Sequence, residues 1–160
     1  MKILKQRRAS WYVSLAAALC AVVLEISSAA AGCSAGSTSI NFGSYDFLSP
    51  APTTGSGTIT LSCTSSTTVT VTIGQSFISQ SYYPRQLQLL AGNDVLNYNI
   101  YTSAALAQIW GDGSHGTTTI TVPNVKRTNT PPLIMYGRIE PQQNVTPGSY
   151  DEQLVVTILY

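Results

Sequence analysis

The C-terminal eleven residues of this chain alternate between apolar and polar positions with a period of two. The residues on the apolar face are Tyr150, Leu154, Val156, Ile158 and Tyr160. This period is typical of a half-buried β-strand. An apolar strand with an unpaired edge is an association site. We therefore expect the face formed by Leu154, Val156, Ile158 and Tyr160 to pair with another strand during assembly.

Residues 1–31 have the composition of a secretory signal peptide. Basic residues within 1–8 precede an apolar run over 11–24, and small residues over 27–31 fit cleavage after Ala31. The apolar run is shorter than the roughly 20 residues of a transmembrane helix. We expect an exported protein with no membrane span after cleavage and a single mature domain over 32–160. The alternative is a retained membrane anchor.

The charge of the mature chain excludes one class of function. Residues 32–160 contain four basic residues and six carboxylates, a formal charge of −2. Nucleic-acid binding requires a basic surface that neutralises phosphates. The sequence therefore predicts no nucleic-acid partner.

Two cysteines remain once the signal peptide, which contains Cys20, is removed. They are Cys33 and Cys63, and an even pair in an exported protein predicts a disulfide. The alternatives are free thiols or a lipoprotein, because residues 30–33 loosely fit a lipobox.

Short alternating runs separated by turn-forming residues predict about seven strands. They cover 59–63, 69–73, 86–90, 95–101, 117–122, 133–139 and 154–160. One window, 103–109, would allow a helix of two turns at most. Only 9 % of the chain is charged, and threonine suits the outward positions of a pleated sheet. The pattern predicts an all-β protein, a β-sandwich.

Few residues suggest chemistry. The single histidine, His115, lies in a Gly-rich turn, and no G-x-S-x-G motif makes Ser114 a nucleophile. Asp94 and Asp112 could bind Ca²⁺, but the D-x-D-x-D-G loop is absent. Asn144 begins an N-glycosylation pattern that often arises by chance. We predict no enzymatic activity, cofactor or metal.

Aromatic residues offer an alternative function. Tyr82 and Tyr83 precede Pro84 in a predicted loop, where they could bind a carbohydrate or another surface. Most aromatic residues in a sandwich instead pack in the core. A carbohydrate-binding or surface-binding module is therefore the runner-up function.

Several motifs in order resemble the spore coat protein U domain family. They are Cys33 with 40–46, 59–63, Arg85 with 96–101, 110–113, 136–139 and 148–151. Together they span residues 33–160. The family includes subunits of archaic chaperone–usher pili, and the resemblance implies an incomplete immunoglobulin-like β-sandwich that lacks its last strand.

The resemblance also implies how such a subunit assembles. A neighbouring subunit donates a strand into the groove, after delivery by a periplasmic chaperone and an outer-membrane usher. We therefore expect a structural subunit of a surface fibre, exported through the periplasm to the cell surface. A secreted coat that is not a pilus is an alternative.

Shaft subunits of these pili resemble one another in carrying a donor segment before the first cysteine. Cleavage after Ala31 leaves only Gly32 before Cys33, which favours a tip or accessory subunit. Cleavage after Ala18 would instead leave Val22, Leu24 and Ile26 as an alternating donor strand, but would also leave Cys20 as an odd thiol.

We expect the mature N-terminus to lie within a few residues of Gly32, because small residues over 27–31 form the cleavage site. Terminal sequencing of the exported protein is the measurement. A start near Leu19 would contradict this prediction and would restore a donor strand to the mature chain.

Overall fold

The computed structural model describes residues 32–160, so the predicted signal peptide lies outside the described part. Nine strands form in this range. They are β1 Cys33–Ser37, β2 Thr53–Cys63, β3 Thr67–Ile73, β4 Arg85–Leu89, β5 Val95–Tyr101, β6 Ile120–Val125, β7 Leu133–Ile139, β8 Tyr150–Asp151 and β9 Val156–Leu159. None of the described residues forms a helix that is long and apolar enough to cross a membrane.

The strands form two antiparallel sheets. The six-stranded sheet has the order β1-β2-β7-β5-β4-β8, and the three-stranded sheet has the order β6-β3-β9. The predicted all-β sandwich is confirmed, with nine strands rather than about seven. The two additional strands are β1 and β8, whose sequences CSAGS and YD lack a clear apolar alternation.

The helix-friendly window over 103–109 forms turns instead. Leu106 adopts a φ of 53°, which an α-helix does not allow. The N–H of Thr102 donates to the carbonyl of Gln108, so the segment closes as a loop. The two-turn helix that the composition of this window allowed therefore does not form.

The core lies between the two sheets. Val69, Val71 and Ile73 on β3 are at most 1 % exposed, while the threonines between them alternate outward. Trp110 is fully buried beside this strand, and its indole N–H donates to the Val71 carbonyl at 3.0 Å. Burial of this kind contributes roughly 25 cal/mol per Å² of apolar surface.

Cys33 and Cys63 form a disulfide, as predicted. The two residues are direct partners in the β1–β2 register, with their Cα atoms 4.1 Å apart. The bond closes a loop over a sequence separation of 30 residues. That loop contains all of the chain between β1 and β2.

The segment over residues 38–47, the covering segment, passes close to three glycines of the six-stranded sheet. A Cβ atom on Gly55 would lie 2.5 Å from the Asn41 carbonyl oxygen. One on Gly137, the register partner of Gly55, would lie 2.6 Å from the Phe42 ring. Glycine is therefore required for this close approach of backbone to sheet.

We predict that Gly55→Ala destabilises the protein by about 1–3 kcal/mol, since the new methyl group meets backbone that cannot rotate away. Urea denaturation of the exported, oxidised protein measures the change. Ser56→Ala on the exposed face of the same strand is the control and should change stability by less than about 0.5 kcal/mol. Equal stability of wild type and Gly55→Ala would contradict the close approach.

Candidate functional site

An open groove of about 1010 Å³ lies beside β9. Its floor is the inner face of the six-stranded sheet, and the covering segment and the chain over 145–156 line its sides. The floor residues come from β4, β5 and β7. They are Leu87, Leu96, Tyr98, Ile100, Met135 and Ile139.

The groove exists because the two sheets have different widths. The three-stranded sheet ends at β9, which pairs with β3 through Ile73↔Val156 and Val71↔Ile158. The other edge of β9 pairs with no strand of residues 32–160. Unpaired backbone groups on an edge strand can pair with an added strand. The geometry therefore places an open strand edge beside an apolar trough.

The structure brings together three of the four residues of the predicted assembly face. Leu154, Val156 and Ile158 are half-buried and pack against the core, and the first two line the groove. Tyr160 lies beyond the end of β9 and is 59 % exposed. Their role in assembly stays a prediction, and Tyr160 does not share the packing of the other three.

The single strand predicted over residues 150–160 is wrong. Residues 150–151 form β8, which pairs with β4 in the six-stranded sheet, whereas β9 pairs with β3 in the other sheet. The chain crosses between the sheets over 152–155. A hydrogen bond of 2.8 Å from the Gly74 N–H to the Val155 carbonyl then guides it onto β3.

Glu152 anchors this crossing. Its carboxylate accepts hydrogen bonds from the hydroxyl groups of Ser76 and Tyr98, both at 2.5 Å. Ser76 is fully buried, and its oxygen also accepts the N–H groups of Ile78 and Ser79. Burial and the adjacent Glu152 carboxylate raise the pKa of Tyr98, which keeps its hydroxyl proton as a donor.

Arg85 links the two sheets behind the groove and is fully buried. Its guanidinium donates to the Gly74 carbonyl, to the Trp110 carbonyl at 2.8 Å and to Asn99 Oδ1 at 2.7 Å. Burial lowers the pKa of Arg85, while Tyr98 and Glu152 oppose this effect. Its five N–H donors suit such a ring of oxygen acceptors.

Sequence reasoning identified Arg85 only as part of a motif and missed its role. Its partners are mostly backbone carbonyls, which carry no sequence signal. The one available signal was Asn99, at an alternating position on the neighbouring strand, whose side-chain N–H also donates to the Tyr82 carbonyl.

Tyr82 and Tyr83, the predicted surface-binding residues, differ in their surroundings, and their role in binding stays a prediction. The ring of Tyr82 has the guanidinium of Arg85 5.5 Å from its centre and the His115 ring 6.0 Å away. Tyr83 is 69 % exposed. Burial, with a contribution from Asp112, raises the pKa of Tyr82. Of the two, only Tyr83 presents a large exposed ring.

His115, Ser114 and Asp112 lie together in an exposed turn. The Ser114 hydroxyl is 2.7 Å from His115 Nδ1 and 2.6 Å from Asp112 Oδ1. The sequence contains no nucleophile-elbow motif, so it did not predict these contacts. Here serine bonds both other residues. In a catalytic triad the histidine lies between the serine and the carboxylate instead. Hydrogen bonds from Ser114 lower the pKa of Asp112 to about 2, so its carboxylate acts as a turn-stabilising acceptor.

The two aspartates considered for Ca²⁺ have separate roles. Asp94 accepts the N–H of Thr146 at 2.9 Å, and Asp112 holds its own turn. Within residues 32–160, no group of three histidine, cysteine or acidic residues is placed to hold a metal ion. Asn144 is exposed.

The fold and the groove together define a two-sheet antiparallel β-sandwich with an open edge beside an apolar trough. The model of the Spore Coat Protein U domain matches residues 17–157. The chain belongs to this family. Protein U of Myxococcus xanthus is 28 % identical over 139 residues, which cover 81 % of this chain and 75 % of that protein.

A solved structure has a similar fold. It is the CsuC–CsuE chaperone–tip adhesion subunit pre-assembly complex from archaic chaperone-usher Csu pili of Acinetobacter baumannii. The matching chain is 19 % identical with a TM-score of 0.52 over 81 % of the present chain. The alignment spans 40 % of that solved chain.

We predict that Arg85→Met destabilises the protein by about 3–5 kcal/mol, because it leaves buried oxygen acceptors without a donor. Arg85→Lys should also be destabilising, since an ammonium cannot reproduce the planar fork. Denaturant unfolding is the measurement.

Arg138→Met is the matched control. Arg138 forms a partly exposed ion pair with Glu140 at 2.8 Å, and such pairs contribute about 0–1 kcal/mol. Similar losses of stability in the Arg85 and Arg138 variants would show that the buried hydrogen bonds of Arg85 have no special importance.

Proposed function

We propose that this chain is a structural subunit of a surface fibre of the archaic chaperone–usher type. Its groove accepts an extended strand from a neighbouring protein, which completes the sandwich by donor-strand complementation. The observation that carries this proposal is the unpaired edge of β9 beside a groove floored by core residues.

An added strand would supply two kinds of interaction. Its backbone would pair with the open edge of β9, and alternate side chains would cover the apolar floor. Burying three aliphatic side chains contributes on the order of 5–8 kcal/mol before entropy is subtracted. This amount is comparable to the net stability of a whole domain, so an unfilled domain should be poorly stable.

The proposed partners are a periplasmic chaperone, an outer-membrane usher and neighbouring pilin subunits. Membership of the family supports this set. The similar solved structure is itself a complex of a chaperone with a tip adhesion subunit. The route is export to the periplasm followed by assembly at the cell surface, without catalysis.

The position in the fibre depends on what precedes Cys33. Cleavage after Ala31 gives a tip or accessory subunit that accepts a strand without donating one. The family match begins at residue 17, and this start supports processing that keeps a donor segment containing Val22, Leu24 and Ile26. The odd thiol of Cys20 argues for the later site, and terminal sequencing separates the two.

A coat that is not a pilus is the alternative assembly. The description of the matching family as a Spore Coat Protein U domain supports a coat component as much as a pilus subunit. Genes for a chaperone and an usher beside this gene would favour the pilus. The carbohydrate-binding alternative has its better support in the exposed Tyr83, since Tyr82 is half-buried with Arg85 and His115 beside its ring.

We predict that an appended donor strand raises the melting temperature of the exported chain and changes its oligomeric state. The appended segment should alternate aliphatic and polar residues and follow a flexible linker. Calorimetry and light scattering compare the two forms. A monomer that is equally stable without the strand would contradict the incomplete sandwich.

We predict that Val156→Asp abolishes assembly, because it places a charge on the wall of the groove. Thr157→Asp lies on the exposed face of the same strand and should assemble almost normally. Co-purification with the donor-bearing partner measures both. Equal loss in the two variants would indicate general damage to β9 rather than a blocked groove.

A further inference from the structure

The charged residues that line the groove are all acidic. They are Asp151 and Glu152, and no lysine or arginine among residues 32–160 lines it. The same two residues also border an adjoining hollow, again without a cation. One part of a groove that is otherwise uncharged therefore carries two carboxylates.

Glu152 receives its direct hydrogen bonds from neutral groups. Both bonds come from hydroxyl groups, those of Ser76 and Tyr98. The nearby Arg85 directs its N–H groups to carbonyl oxygens and to Asn99. Within the described range the only ion pair joins Arg138 to Glu140. A carboxylate can accept about four hydrogen bonds, so Glu152 has capacity for a further donor.

Filling the groove would remove water mainly from Glu152, which is already half-buried, and to a smaller extent from the exposed Asp151 at the groove lining. Removing a carboxylate from water without a counter-charge is strongly unfavourable, and Arg85 attracts Glu152 only at a distance. A cation on the incoming strand would offset this loss. A neutral strand would leave the cost in place, and an acidic strand would increase it.

We propose that the strand that fills this groove presents a lysine or arginine to Asp151 and Glu152, and that it belongs to a partner protein rather than to a second copy of this chain. The inference rests on the proposed function of the groove. Residues 9–84 contain no lysine or arginine, so the segment around 19–31 cannot supply the cation. The groove thus selects a basic, apolar strand over its own upstream sequence.

The test uses the exported, oxidised full chain and synthetic strands of alternating valine and threonine. Three strands differ at one terminal inward position, which is lysine, glutamine or glutamate. Each is made in both sequence directions, because either end could meet the carboxylates. A fourth peptide has the sequence of residues 21–31. Fluorescence polarisation gives the dissociation constants at low and high salt.

The lysine strand should bind about tenfold more tightly than the glutamine strand, within the range measured for close charge pairs. The glutamate strand and the peptide 21–31 should bind more weakly than either. High salt should reduce the advantage of lysine. Equal binding of the lysine, glutamine and glutamate strands would overturn the inference and leave the proposed function intact. Failure of every strand to bind would instead remove the proposed function.

Glu152→Gln and Asp151→Asn should each reduce the preference for lysine, and Asp46→Asn, outside the groove lining, should leave it at about tenfold. Asp151 makes no side-chain hydrogen bond within the described residues, so Asp151→Asn keeps the test valid if Glu152→Gln unfolds. A lysine preference that persists in Asp151→Asn and in any folded Glu152→Gln would also overturn the inference.

Discussion

The buried guanidinium of Arg85 is the interaction on which both sheets depend. It belongs to β4 in one sheet and donates to carbonyls at the end of β3 in the other, with Asn99 and Trp110 completing the ring. The register between β3 and β9 begins beside this ring, at Ile73↔Val156. Arg85 therefore joins the groove floor to the end of β3 at the point where β9 begins to pair with it.

The other side of the groove depends on the absence of side chains. Gly55, Gly57 and Gly137 allow the covering segment to lie against the six-stranded sheet, with Ile40 and Phe42 packed over them. A bulkier residue at any of the three would move this segment. The groove is thus bounded on one side by the hydrogen bonds around Arg85 and on the other by the covering segment packed against the glycines.

The sequence predicted the regular part of this fold from local pattern. Strong alternation located β3, β5 and β7, and export with two remaining cysteines predicted the disulfide. The same rule failed over residues 150–160, where one continuous alternation was divided between two sheets. Period two reports which way a side chain points, but not which sheet the strand joins.

The candidate site was predictable only in part, for a related reason. Leu154, Val156 and Ile158 were found because apolar alternation marks a half-buried strand. The groove itself depends on non-local features that leave no periodic signal: the hydrogen bonds to Glu152, the carbonyl partners of Arg85, and the three glycines. The sequence also contained no sign that Arg85 and His115 lie beside the ring of Tyr82, whose predicted role in surface binding stays a prediction.

The disulfide has a consequence for when the groove can form. The covering segment lies inside the covalent loop between Cys33 and Cys63. Closing a loop restricts the unfolded chain, and for this length the effect is roughly 3–4 kcal/mol on the chain-entropy model. In a reduced chain the same segment has a larger conformational space to lose on folding. For the proposed function, the disulfide would link the ability to receive a strand to an oxidising compartment, and would separate it from synthesis in a reducing one.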